Sequence, residues 1–114
     1  MLDTDRAREL LIAERERIQR ELAELVHAQE DQAPELEEFD AANRALELIQ
    51  DELAQGLAED LKERLAAVDR AEQRLGAGTY GLSILSGMPF PDERLEVVPT
   101  AELTVEEERA RFKP

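Results

Sequence analysis

The first 33 residues contain neither glycine nor proline, and apolar side chains recur through them at helical intervals. Few folds accommodate so long an unbroken pattern. Leu11, Ile18, Leu22 and Leu25 are spaced by 7, 4 and 3, which sets them on one stripe of a helix from residue 3 to about 30. Asp3 or Thr4 can cap its start. Glu14, Arg15, Glu16, Arg17, Arg20 and Glu21 fill the gaps with charge, so the stripe is as narrow as a coiled-coil seam. Such a helix has one partner rather than a broad core to lie on.

The next stretch can supply that partner. Residues 29–39 are acidic and broken by Pro34, which reads as a connection. A second helical pattern starts near Asp40 or Asn43, either of which can serve as N-cap. It reaches Leu75 through Leu46, Ile49, Leu53, Leu57, Leu61, Leu65 and Val68. Gly56 costs roughly 1 kcal/mol inside a helix, tolerable over this length, and Gly76 offers a left-handed residue to end it. Two long helices with a short connection fold back antiparallel. Residues 1–75 are therefore expected to form an antiparallel coiled-coil hairpin with its tip near residues 34–45. A parallel dimer of one long helix competes with this, and Pro34 and the restart at Asp40 argue against it. Leu10, Ile12 and Leu48 lie off the main stripes and could build a second seam, for another protein or another copy.

The charge balance narrows the partners. There are 28 acidic residues against 14 basic ones, a net charge of −14. DNA phosphates and anionic membranes repel such a chain, and a basic protein surface suits it better. The absence of cysteine excludes disulfides and thiolate metal sites. Neither a signal-like apolar run nor a stretch of ~20 apolar residues occurs, so a soluble, cytoplasmic monomer is expected.

No catalytic constellation stands out. Ser83 and Ser86 have no histidine close in sequence and no nucleophile-elbow glycines. Gly76–Gly81 lacks the strand before it and the helix after it that a phosphate loop needs. His27, the single histidine, reads as a helix-surface residue. Glu35, Glu37 and Glu38 read as a solvated acidic loop without the central glycine of a calcium loop. A non-enzyme without cofactor is expected.

After Gly76 the chain changes character. Gly78, Gly81, Gly87, Pro89, Pro91 and Pro99 fall within 22 residues, with short apolar pieces between them. This predicts a small β-hairpin around Ser86 and Gly87, a helical turn over Pro91–Leu95, and a short terminal helix. Thr104 and Glu107 have the spacing of a capping box for that last helix. Residues 76–114 thus form a small module of their own.

The run Gly78, Thr79, Tyr80, Gly81, followed by Arg94, Leu95, Glu96, Pro99, Thr100, Ala101 and Leu103, resembles the DksA/TraR family. Members of that family bind bacterial RNA polymerase. The similarity covers roughly residues 25–112, and its specific part is the C-terminal one. The family's hairpin tip carries D-x-A-D-x-A, and the corresponding place here has Asp40, Ala41, Ala42, Asn43, Arg44 and Ala45. The resemblance implies a regulator whose globular module docks on the polymerase rim. Its hairpin would then enter the secondary channel, and Asp40, Asn43 and Ala45 would act near the catalytic metal to modulate initiation, with no DNA contact. It also implies that the family's zinc-binding cysteine pairs are replaced by Ser83 and Ser86, and by Thr104 and Glu107, so no metal is expected.

The fold class that follows is mainly α: a long antiparallel helical hairpin, a small zinc-finger-like α+β module without zinc, and a short C-terminal helix. Structural zinc contributes on the order of 10 kcal/mol to a small fold. The expected offset is apolar burial by Ile84, Leu85, Met88, Phe90, Val97, Val98, Val105 and Phe112.

Overall fold

A computed structural model describes residues 2–29 and 52–111. Its first helix, α1, spans Thr4–Gln29 and opens where the Ala7 N–H reaches back 2.9 Å to the Asp3 carbonyl. Helix α2 spans Glu52–Ala77, α3 Asp92–Val97 and α4 Val105–Arg111. The described residues are thus mainly helical. The β element among them is one isolated antiparallel bridge between Leu82 and Pro89. None of their helices is long and apolar enough to cross a membrane. The expected tip at Asp40, Asn43 and Ala45, the start of the second helix, and Phe112 lie outside the described residues.

The chain divides into two compact units, one of Ala13–Ala67 and one combining Met1–Ile12 with Val68–Pro114. In the first, α1 buries Ile18, Leu22 and Val26, and α2 buries Ala54, Ala58 and Leu61. The Arg64 guanidinium lies 3.5 Å from Glu14 and 3.2 Å from Glu21, two carboxylates one heptad apart on α1.

The α2 stripe differs from the one read off its leucines. Leu53 and Leu57 are 76% and 51% exposed, while Ala54 and Ala58 are buried. Residues 54, 58, 61, 65 and 68 keep alternating steps of 4 and 3, which holds them on one face of the helix. Leu53 and Leu57 sit further round it. Alanines carry the buried face there.

In the second unit, Ala7 and Leu11 of α1 and Val68 and Ala71 of α2 are buried, together with Tyr80, Phe90, Leu95, Ala101 and Leu103. Helix α2 runs through Gly76 and ends at Ala77, just before Gly78 with φ 80°. The Gly78 N–H bonds the Leu75 carbonyl at 3.3 Å, and the Thr79 N–H bonds that of Arg74 at 2.9 Å. This pair of bonds satisfies the last carbonyls of α2, and it needs a left-handed residue after Ala77.

A turn does form around Ser86 and Gly87. The Ser83 N–H bonds the Met88 carbonyl at 2.8 Å, the Gly87 N–H bonds that of Ser83 at 3.0 Å, and the Phe90 N–H bonds that of Gly81 at 2.8 Å. It does not grow into the expected hairpin. Pro89 and Pro91 have no N–H to continue a ladder.

The apolar offset expected for the absent metal is also not built as anticipated. Ile84, Leu85, Met88, Val97, Val98 and Val105 are exposed, and of the described residues in that set only Phe90 is buried. The module packs instead on the aromatic and aliphatic side chains of Tyr80, Phe90, Leu95 and Leu103. Polar bonds close the rest.

Candidate functional site

The residues that carry the family resemblance are structural anchors of the C-terminal module. Gly81 has φ 86°, and a Cβ there would meet Leu95 Cδ1 at 3.5 Å. Leu95 itself is only 2% exposed. The Tyr80 hydroxyl donates to the Pro99 carbonyl at 2.7 Å, across 19 residues. Burial is the largest cause pushing the Tyr80 phenol up to about 12, against a lowering by nearby Arg74. Arg94 donates from Nη2 to the Leu103 carbonyl at 3.1 Å and lies over the Phe90 ring, 5.9 Å from its centroid. One loop, one short helix and the segment after it are thereby pinned together.

Three ion pairs in two groups tie the ends of the long helices to this module. Arg70 of α2 holds Glu102 in a two-point grip, Nε at 3.2 Å and Nη2 at 3.0 Å, and Arg74 adds a contact at 3.4 Å. The Glu102 carbonyl accepts the Ile84 N–H at 2.9 Å, so the same residue also fastens the turn. Arg6 of α1 grips Glu96 of α3 through Nε at 3.0 Å and Nη2 at 2.7 Å. The Arg6 guanidinium holds the Glu96 carboxyl below the usual carboxylate range. Sequence reading did not find either group. The arginines at 70 and 74 share a helix face, but nothing in the spacing nominates Glu102 as their partner.

The four positions matched to zinc ligands lie together. Ser83, buried at 5% exposure, donates its hydroxyl to Glu107 Oε1 at 2.7 Å. Its Oγ also accepts the backbone N–H groups of Leu85 and Ser86, at 3.1 and 3.2 Å. Glu107 Oε1 accepts the Thr104 N–H at 2.7 Å, and Thr104 Oγ1 accepts the Glu107 N–H at 3.1 Å. That reciprocal pair is the capping box read from the sequence, and it starts α4. The Glu107 carboxyl is lowered to about 2, first by the Thr104 backbone N–H and then by the Ser83 hydroxyl. Ser86 adds a smaller pull in the same direction.

These donors do not fit structural zinc. A tetrahedral zinc wants thiolates or imidazoles, and here one carboxylate and three hydroxyls already satisfy one another and the local backbone. Among the described residues, no group of three or more His, Cys, Asp or Glu is arranged to hold a metal ion. His27 lies exposed in the last turn of α1. What the arrangement can do is hold the turn at residues 83–87 to the start of α4 by hydrogen bonds.

No family model matches the chain, and no solved structure matches it. Over 45 residues, 40% of this chain, it is 49% identical to General stress protein 16O of Bacillus subtilis (strain 168). The match spans 28% of that protein's length.

Proposed function

We propose that this chain is a zinc-free regulator of the DksA/TraR type, acting in the cytoplasm by binding bacterial RNA polymerase. Its long helices form an antiparallel coiled-coil hairpin that enters the secondary channel, and its tip residues Asp40, Asn43 and Ala45 modulate initiation at the active centre. The C-terminal module anchors the base in the manner of a zinc finger whose metal is replaced by hydrogen bonds.

The observation that carries this reading is the 2.7 Å bond between Ser83 and Glu107. These residues are 24 apart in sequence, and each stands where the family's pattern has a cysteine. A shared architecture accounts for their meeting, whereas an unrelated turn and helix have no reason to bring those two positions together. The hairpin has separate support: the start of α1 groups with the end of α2, and the rest of α1 with the start of α2. A net charge of −14 favours a basic protein channel over nucleic acid.

The direct test is capture of core polymerase by the purified chain, with and without a competing factor known to occupy the secondary channel. Stoichiometric capture that the competitor abolishes is expected. Failure to bind, or binding that the competitor leaves untouched, refutes the reading.

A second reading has its own observation. Ile12, Leu53 and Leu57 are exposed, and Leu57 lines a shallow groove with Leu25 and Leu61. A hairpin that pairs with another helix, or with a second copy, would cover them. Sedimentation of the purified protein separates the two, since a monomer at all concentrations counts against self-association.

A further inference from the structure

Among the described residues nine large hydrophobic side chains are exposed, and four of them, Met88, Val97, Val98 and Val105, line one groove. The groove has a volume of about 550 Å³ and is shared by α3, α4 and the segment before α3. Val97 is 80% exposed and Met88 59%, which is costly in a chain that is otherwise 37% charged. Gathered in one groove, these side chains offer a floor on which the apolar face of a partner can lie.

The charge around the groove says what would cover it. Glu93 and Glu106 also line it, and both are exposed. They belong to the acidic first turns of α3 and α4. Among the described residues of the lining the one cation, Arg94, is drawn inward by the Leu103 carbonyl and the Phe90 ring. The opening therefore presents carboxylates beside an apolar floor. A second copy of this acidic chain would bring like charge against it.

We propose that this groove docks a cationic amphipathic helix of a partner protein. The apolar stripe of that helix would lie on Met88, Val97, Val98 and Val105, and its lysines or arginines would flank it against Glu93 and Glu106. The proposal does not rest on the polymerase reading, because any protein with such a helix satisfies the same chemistry.

The probe is a fluorescein-labelled synthetic peptide of about 18 residues, leucine and lysine only, with leucines at i, i+3, i+4 and i+7. It is titrated with the full chain by fluorescence anisotropy, beside a scrambled peptide of identical composition. Val97→Asp and the double change Glu93→Lys with Glu106→Lys are measured in parallel, their folding checked by circular dichroism. The expected result is saturable binding of the patterned peptide. The scrambled peptide and both variants should bind at least roughly tenfold more weakly, a loss of about 1.4 kcal/mol.

Equal binding of the scrambled peptide would reduce the effect to bulk charge and overturn the proposal. So would unchanged binding by the folded Val97→Asp protein. A chain ending at Arg111 that binds the peptide roughly tenfold more tightly would assign the groove to residues 112–114 instead, and would overturn it equally.

Discussion

Glu107 carries two tasks on one side chain. It caps α4 and it accepts the buried Ser83 hydroxyl. Its carboxyl is lowered from 4.5 to about 2 in the folded chain. Folding therefore favours the charged form. The stabilisation is complete above about 4.5 and is lost as pH falls toward about 2. Urea melts of the native chain from pH 6 to pH 2 should show a midpoint falling through that window. Glu107→Gln should flatten the part of the fall that other carboxylates do not cause, and two parallel curves would remove Glu107 from this role. The Thr104–Glu107 box was legible in the sequence because a cap is a local object, set by three-residue spacing. Ser83 was not legible as its partner from spacing; only the resemblance, which sets both at ligand positions of one site, puts the two together. A contact across 24 residues depends on how the turn and α4 pack, and local spacing carries no such information.

At the scale of elements, the two glycines at the end of α2 separate propensity from geometry. Gly76 is helical and has nothing within 4 Å of where a Cβ would stand, whereas Gly78 sits at φ 80°. Gly76→Ala should stabilise the chain by about 0.5–1 kcal/mol through helix propensity. Gly78→Ala should destabilise it by about 1 kcal/mol, since only glycine enters the left-handed region freely. Chemical denaturation reads both, and shifts of the same sign would show that the end of α2 has been misplaced. Sequence reading put the stop at Gly76 because both glycines satisfy the same rule. Only the reach-back bonds of Gly78 and Thr79 distinguish them. The α2 seam was misread for a related reason: leucine signals burial more strongly than alanine, yet Ala54 and Ala58 are in phase with Leu61 and Val68 while Leu53 and Leu57 are not.

The module offers a sharper test of the proposed likeness to a zinc finger. All four matched positions meet at Glu107, so replacing Ser83, Ser86, Thr104 and Glu107 together by cysteine supplies four thiolates in one place. That variant should take up zinc at one ion per chain, and its melting temperature should collapse on chelation, as in a Cys₄ structural site. The native chain should melt at the same temperature with or without chelator. A cysteine variant that folds but binds no zinc would dissolve the analogy on which the module's reading stands.

At the scale of the whole molecule, the proposed function divides the chain into a part that binds and a part that acts, and the two can be separated. The resemblance residues of the module serve packing, as Tyr80, Leu95, Ala101 and Leu103 do by burial, so changing them confounds binding with folding. Asp40 and Asn43 carry the opposite expectation. If the base anchors on the polymerase, Asp40→Ala should leave affinity within about twofold yet abolish any effect on the lifetime of initiation complexes. Asn43 stands where the family has a second acid; it keeps an acceptor and gains a donor but holds no charge. Asn43→Asp should therefore deepen the effect by restoring a carboxylate that can act on a nearby cation or a basic loop. Affinity by pull-down and complex lifetime by single-round transcription give the two readouts. Loss of binding on Asp40→Ala would move the anchor to the tip. If Asp40→Ala and Asn43→Asp both leave complex lifetime unchanged, with binding intact, the chain is a polymerase-binding protein whose tip is inert, and the regulatory half of the proposal falls.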